Sequence, residues 1–206
     1  MVGLLLAVVL ATAACDPLDA PSAVAPPAGD AADSATTLNG LTIASWAPMT
    51  GYSRDRFHHW DAQGGGCDTR DVVLKRDGVG VQVGTDCAIT KGSWTSPYDG
   101  ATVTDPQSLD VDHMVPLANA WRTGAASWTD QQREAFANDL TRPQLVAVTA
   151  SSNRSKGDQD PSEWKPPRRD YWCTYARDWI TVKAYWKLSV TTAEKTALND
   201  MLGTCT

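Results

Sequence analysis

Apolar and polar positions follow short extended patterns in the first half of the folded sequence. The valine-rich runs 71–76 and 79–83 flank Asp77-Gly78, a dipeptide typical of tight turns, so they predict the two strands of a hairpin. Residues 91–94 and 98–103 predict one or two further short strands. The first half is therefore expected to contribute mainly β-structure.

The central part of the sequence predicts strands that are separated by helices. Residues 109–113 predict the end of a strand, and residues 117–122 predict a helix. A second helix is predicted to begin with Thr129 or Asp130 as its N-cap. Residues 144–148 predict another short strand.

The C-terminal part is predicted to be helical. Apolar side chains recur at steps of three and four residues between residues 171 and 188, which predicts a helix with one buried face. A last helix is predicted over 191–202, capped by Thr191 or Thr192. A short helix is also expected over 38–47. Strands followed by helices indicate an α+β fold.

Three segments divide the chain. Residues 1–15 form an apolar run too short to span a membrane, and they predict a secretory signal peptide. Cys15 closes a lipoprotein-like cleavage box, so lipidation of Cys15 and simple cleavage nearby remain two alternatives. Residues 16–38 are rich in Ala, Pro, Asp and Ser and predict a disordered spacer, and residues 39–206 form the domain.

The cysteine content also indicates export. Without Cys15 four cysteines remain, which in an exported domain predict two disulfides with three possible connectivities. Proximity in sequence favours Cys67–Cys87 and Cys173–Cys205. Zinc binding by these cysteines is disfavoured, since the sequence contains no Cys-x-x-Cys and no Cys/His pair at zinc-finger spacing. The protein is expected to be secreted or attached to the outer cell surface.

The charge of the chain is unevenly distributed. The net charge is −6, and the spacer alone accounts for −4 of it, so the rest carries −2. Between Arg142 and Lys187 nine Lys/Arg stand against five Asp/Glu, a local charge of +4. Such a patch fits a phosphate-binding surface, although an ordinary solvated helical surface gives the same count.

Two short segments carry the candidate chemistry. In Asp112-His113 the side chains leave an extended backbone in opposite directions. A histidine can activate water, and carboxylate and amide oxygens can hold a hard divalent ion. Asn153 follows about forty residues later and supplies a second, neutral oxygen.

Together these segments resemble the HNH, or ββα-metal, nuclease superfamily, including the HNH domain of CRISPR effector nucleases. From Gly51 to Cys205 the chain also resembles secreted actinobacterial HNH endonuclease-family proteins, which share a nuclease domain with the C-terminal part of GmrSD-type restriction enzymes. The segments that carry the resemblance are Asp110–Leu117, Asn153-Arg154-Ser155-Lys156, Gly51–Arg54, Gly65–Arg70, Ser96–Gly100, Asn138–Leu145 and Lys156–Pro161.

The resemblance implies a role for each residue of the motif. His113 would be the general base, and Asp112 and Asn153 would bind the metal. Asn138 is the nearest match to the superfamily's middle asparagine, which braces the loop between the motif strands. The supporting or phosphate-binding residues would be Asp110, which orients a motif residue or caps a turn, and Arg154 and Lys156, which are expected to contact phosphates or to face solvent. Asn153 stands where many HNH enzymes have a metal-binding histidine, which favours Mg²⁺ or Mn²⁺ over Zn²⁺ or Ni²⁺.

The resemblance also implies the overall function. We expect a monomer with a ββα-metal core, added N-terminal β-strands and C-terminal helices, and no transmembrane span. It would hydrolyse DNA, with RNA as a second candidate, by contacting backbone phosphates with little sequence specificity. The alternative is a non-catalytic cell-surface binding domain on a decayed nuclease scaffold.

Overall fold

The computed structural model describes residues 31–206 as an α+β fold, in agreement with the α+β part of the predicted fold class. The helices are α1 Ala31–Gly40, α2 Thr69–Asp77, α3 Leu117–Thr123, α4 Asp130–Ala137, α5 Ala150–Lys156, α6 Trp172–Tyr185 and α7 Thr192–Leu202. The strands are β1 Ala62–Gly64, β2 Cys67–Asp68, β3 Val79–Val83, β4 Ile89–Thr95, β5 Thr102–Val103, β6 Leu109–His113 and β7 Leu145–Thr149.

Strands β6 and β7 form an antiparallel pair that carries the candidate site. Leu109 lies opposite Thr149, and His113 lies opposite Leu145. The connection between the two strands contains α3 and α4, while α5 follows β7 directly and packs against both strands. Thr149 ends β7 and caps α5, since its hydroxyl accepts a hydrogen bond from the N–H of Ser152. The start of α5 is thereby fixed beside the start of β6, since Thr149 lies opposite Leu109.

Residues 71–76 are helical, so the predicted hairpin is wrong. The Asp68 side chain accepts from the N–H of Asp71, and the Asp71 side chain accepts from the N–H of Asp68. This reciprocal cap fixes the start of α2, which then buries Val73 and Leu74. A short apolar run fits a buried strand and a buried helix equally well, so valine content alone misassigned it. Strand β3 does form, but it pairs with β4 in the sheet β3-β4-β5.

The folded chain begins earlier than predicted. Helix α1 starts at Ala31, inside the predicted spacer 16–38, and its Leu38 side chain is fully buried. Burial against α6 and α7 explains why this polar stretch is ordered. The helix predicted over 38–47 does not continue beyond the end of α1. The predicted signal segment and Cys15 lie outside the described residues.

Helices α6 and α7 form the C-terminal part of the core, as predicted. Tyr175, Trp179 and Val182 are buried along α6, and Thr191 caps α7. The predicted disulfides are both present: Cys67–Cys87 joins β2 to the turn before β4, and Cys173–Cys205 joins the start of α6 to the segment after α7. Among residues 31–206, no helix has the length and apolar character that a membrane crossing requires.

Asp178 on α6 carries a buried carboxyl group whose pKa is strongly raised. Burial raises the pKa of Asp178 from 3.8 to about 7, although the charge of Arg177 and a hydrogen bond from Tyr171 lower it. The folded chain therefore keeps this proton over a range in which the unfolded chain has lost it. Stability is lost as the pH rises through that range, and the full loss is present above about pH 7.

Replacing Asp178 with asparagine should remove this pH dependence. Asparagine resembles the protonated acid, so the variant should match the wild type near pH 4 and exceed its stability near pH 8 by up to about 4 kcal/mol. Urea unfolding at both pH values measures the difference. The same difference at both pH values would contradict the assignment.

Candidate active site

His113 ends β6 and is held in one tautomer. Its Nε2 atom lies 3.0 Å from the carbonyl oxygen of Ala137. A carbonyl can only accept, so Nε2 carries the proton and donates it, and Nδ1 keeps its lone pair. The Ala137 carbonyl belongs to the connection between the two site strands, which thereby orients the ring.

Two aromatic side chains cover the His113 ring. Trp60 stacks on it at a centroid distance of 5.8 Å and an angle of 25°, and His59 meets it edge-on at 6.2 Å. Burial above all, together with the charges of Arg54 and Lys156, lowers the pKa of His113 to about 3, although the hydrogen bond to Ala137 raises it. The ring is therefore neutral at physiological pH, which is the form that can accept a proton.

Asp112 is buried and anchored by two donors. Its Oδ2 atom accepts from the Tyr98 hydroxyl at 2.5 Å and from Lys156 Nζ at 2.5 Å. Among residues 31–206, Oδ1 of Asp112 has no hydrogen-bond partner, and Asp112 lines a cleft. One oxygen is thus used for anchoring and the other is free to bind a ligand.

Lys156 is fully buried, which gives it a supporting role. Besides Asp112, its ammonium donates to the carbonyls of His113 at 2.7 Å and Met114 at 3.0 Å. Burial lowers the pKa of Lys156, and the charge of Asp112 opposes that effect. A side chain with no exposed surface cannot contact a phosphate in this conformation, so the expected phosphate contact is not formed by Lys156.

Asn153 lies on α5 with its amide oriented by Asp110. Its Nδ2 donates to Asp110 Oδ2 at 2.9 Å. Since the amino group points at the carboxylate, the carbonyl oxygen Oδ1 points away from it, and no residue between 31 and 206 donates to that oxygen. Asp110 therefore orients the second candidate metal ligand.

Asn138 follows Ala137 and fastens this part of the connection. Its Oδ1 accepts from the N–H of Asp61 at 3.0 Å and from Thr69 Oγ1 at 2.8 Å. Its Nδ2 donates to the carbonyls of His58 and Glu134, both at 3.0 Å. The loose sequence match thus corresponds to a side chain with four partners, beside the peptide that holds His113.

The motif residues line a common cleft of about 230 Å³. Asp112, His113 and Asn153 all lie in its wall. The exposed side chains of Arg54, Arg154 and Asp158 line the same cleft, so its exposed charged residues carry a net positive charge.

Several contributors to the site had no assigned role in the sequence. Tyr98 donates to Asp112, and Asp99 accepts from the hydroxyls of Thr149 and Ser152 at the start of α5. Both belong to Ser96–Gly100, one of the segments that carry the resemblance. Arg54 belongs to Gly51–Arg54, another of these segments. Their membership in shared segments was the only signal, since each contact joins parts of the chain distant in sequence.

The oxygen atoms that Asp112 and Asn153 present in the cleft are suitable ligands for a hard divalent ion. Asp112 and Asn153 each offer a free oxygen, one charged and one neutral, and His113 offers its lone pair for proton transfer instead. Two protein oxygens leave coordination positions for water and phosphate, as Mg²⁺ prefers. The residues present are therefore compatible with the expected cofactor.

Comparison with protein families identifies the class of the domain. Residues 69–201 match the family described as GmrSD restriction endonucleases, C-terminal domain, a nuclease domain of the HNH type. The match covers more than half of the chain, and the protein belongs to this family. Arg54, His59 and Trp60 lie before the matched range.

A fungal relative extends the comparison over nearly the whole chain. A protein of Arthroderma benhamiae (strain ATCC MYA-4681 / CBS 112371), named "Uncharacterized secreted protein", is 56% identical over 186 residues, which are 90% of this chain and 91% of the relative. Its name confirms the predicted export. Because this relative is fungal, it gives no support to the actinobacterial part of the resemblance. No solved structure matches the chain.

Proposed function

We propose that the protein is a secreted, metal-dependent endonuclease that hydrolyses phosphodiester bonds of DNA, with RNA as a second candidate. β6, β7 and α5 would form its ββα-metal unit. The observation that carries this proposal is the common cleft, in which a neutral histidine lies beside two free oxygen ligands under an arginine rim.

His113 would act as the general base. Its Nδ1 lone pair takes a proton from the attacking water, while the Nε2 hydrogen bond to Ala137 keeps the ring in place. The low pKa of the free site keeps this nitrogen unprotonated. A bound phosphate brings negative charge next to the ring, which raises its pKa and favours the proton transfer.

Asp112 and Asn153 would hold one divalent ion, Mg²⁺ or Mn²⁺. The ion supplies positive charge next to the scissile phosphate and the leaving oxygen. Lys156 and Tyr98 keep Asp112 in place through Oδ2, and Asp110 keeps the amide of Asn153 in the orientation that presents Oδ1. These three residues position the ligands without contacting the substrate.

Substrate binding would depend on backbone phosphates. Arg54 and Arg154 lie exposed at the cleft, where each can form charge-assisted hydrogen bonds to a phosphate. Phosphate contacts carry no base information, so little sequence preference follows. The resemblance to HNH nucleases implies that the products would carry 5′-phosphate ends.

A plasmid-nicking assay tests the proposal. The wild-type protein should convert supercoiled plasmid to nicked and linear forms with Mg²⁺ or Mn²⁺, and an excess of chelator should abolish the conversion. Asn153→Ala should reduce cleavage, since it removes one metal ligand, and Lys75→Ala on the exposed end of α2 serves as a control. Absence of cleavage by the folded wild type with any divalent ion would instead favour a non-catalytic binding domain.

A further inference from the structure

A second group of ligating side chains lies outside the cleft. His58 Nδ1 lies 2.7 Å from Asp61 Oδ1 and 3.7 Å from Glu134 Oε1. One ligand atom from each residue falls within 4.8 Å of the others. Zinc ligands surround the ion at about 2.0–2.2 Å, so small side-chain rotations would bring all three into coordination distance. We propose that His58, Asp61 and Glu134 bind a transition-metal ion of the Zn²⁺ type.

The charge around this group favours a cation. Asp61 and Glu134 are carboxylates from distant parts of the chain, and within residues 31–206 neither forms an ion pair with a lysine or an arginine. Their only ionic partner there is His58, which is 72% exposed and can be reached from solvent. A metal ion would replace the proton that His58 Nδ1 and Asp61 share, and would neutralise both carboxylates.

The backbone beneath the three side chains is fixed by one amide. Asn138 donates to the carbonyls of His58 and Glu134 and accepts from the N–H of Asp61, so it touches the main chain of all three proposed ligands. Such hydrogen bonds hold ligating residues in position before the ion arrives. An arrangement centred on a single side chain distinguishes this group from exposed acids that are merely neighbours.

The ligand set selects a different ion from that of the cleft. An imidazole with two carboxylates suits Zn²⁺, Co²⁺ or Mn²⁺, whereas the all-oxygen set of Asp112 and Asn153 suits Mg²⁺. Three protein ligands leave a position for water, as in open zinc sites.

The proposed site is linked to the active-site histidine through two adjacent residues. Asn138 follows Ala137, whose carbonyl holds His113 Nε2. A bound ion would therefore restrict the motion of the segment that orients His113. It would also raise the stability of the folded protein, whether or not the cleft is active.

Calorimetric titration of the full-length protein with Zn²⁺ tests the site, in excess Mg²⁺ so that the cleft is saturated. The wild type should bind one Zn²⁺ per chain, and His58→Ala and Glu134→Gln should each weaken binding at least tenfold. Asp55→Asn, which removes a nearby exposed carboxylate, should bind Zn²⁺ as the wild type does. Zn²⁺ should also raise the thermal midpoint of the wild type but not that of His58→Ala.

Repeating the titration with Asn153→Ala separates the two metal sites. Zn²⁺ binding that survives this substitution and is lost with His58→Ala supports the proposal, whatever the outcome of the nicking assay. Equal binding by the wild type and His58→Ala, no binding at all, or binding abolished by Asn153→Ala would each overturn it.

Discussion

His113→Ala should reduce the rate of plasmid cleavage by about 10²–10⁴-fold, the range that a general base contributes. Among the described residues that line the cleft, His113 alone presents an unprotonated ring nitrogen, and the substitution removes it while Asp112 and Asn153 keep their oxygens. Initial rates under saturating Mg²⁺ measure the effect. The loss should appear in the turnover rate, because the arginines that would contact the substrate are unchanged.

The control for this prediction concerns folding, since His113 is buried. His113→Gln leaves a smaller cavity than alanine and keeps an amide donor near the position of Nε2 for the Ala137 carbonyl, so its thermal midpoint should stay nearer to that of the wild type. Both variants should nevertheless be equally poor in cleavage. A wild-type rate in either variant would show that His113 is not the base.

Lys156→Ala should destabilise the protein by about 3–5 kcal/mol, the range observed when one partner of a buried ion pair is removed. The substitution leaves the Asp112 carboxylate buried without its cation and removes the donor for the carbonyls of His113 and Met114. Urea unfolding measures the loss. We expect the loss of stability to be larger for Lys156→Ala than for Lys75→Ala.

Lys75→Ala is the matched control, because Lys75 occupies the last turn of α2 as Lys156 occupies the last turn of α5. Lys75 is exposed, so its removal should change stability by no more than about 0.5 kcal/mol. Adding Asp112→Asn to Lys156→Ala should restore part of the stability by removing the uncompensated charge. Equal stability of the two lysine variants would contradict the role given to Lys156.

The grouping of the motif was predicted from the resemblance to HNH nucleases, and the periodicity of the two elements explains how the structure achieves it. Asp110 and Asp112 lie two residues apart on β6, and Asn153 and Lys156 lie three apart on α5, so each pair faces one way. The structure brings these faces together, with Asn153 bonded to Asp110 and Lys156 bonded to Asp112. Spacing accounts for the shared face of each pair, and the shared motif was the signal that the two faces meet.

The remaining features depend on contacts that spacing does not encode. Tyr98 and Trp60 reach the site from segments with no periodic relation to β6 or α5. The burial of Lys156 is likewise a tertiary property, and a lysine in a motif is more commonly exposed. Helix α2 was mistaken for a strand because its capping box outweighs the strand preference of two valines.

The long connection between β6 and β7 has a consequence for the order in which activity arises. The Ala137 carbonyl and Asn153 both come from chain that follows the Asp112-His113 segment, and Tyr98 precedes it. Pairing strands across such a separation is slow relative to local helix formation. On the proposed function, an unfolded or partly synthesised chain carries no competent site, so cleavage begins only once the whole domain has folded.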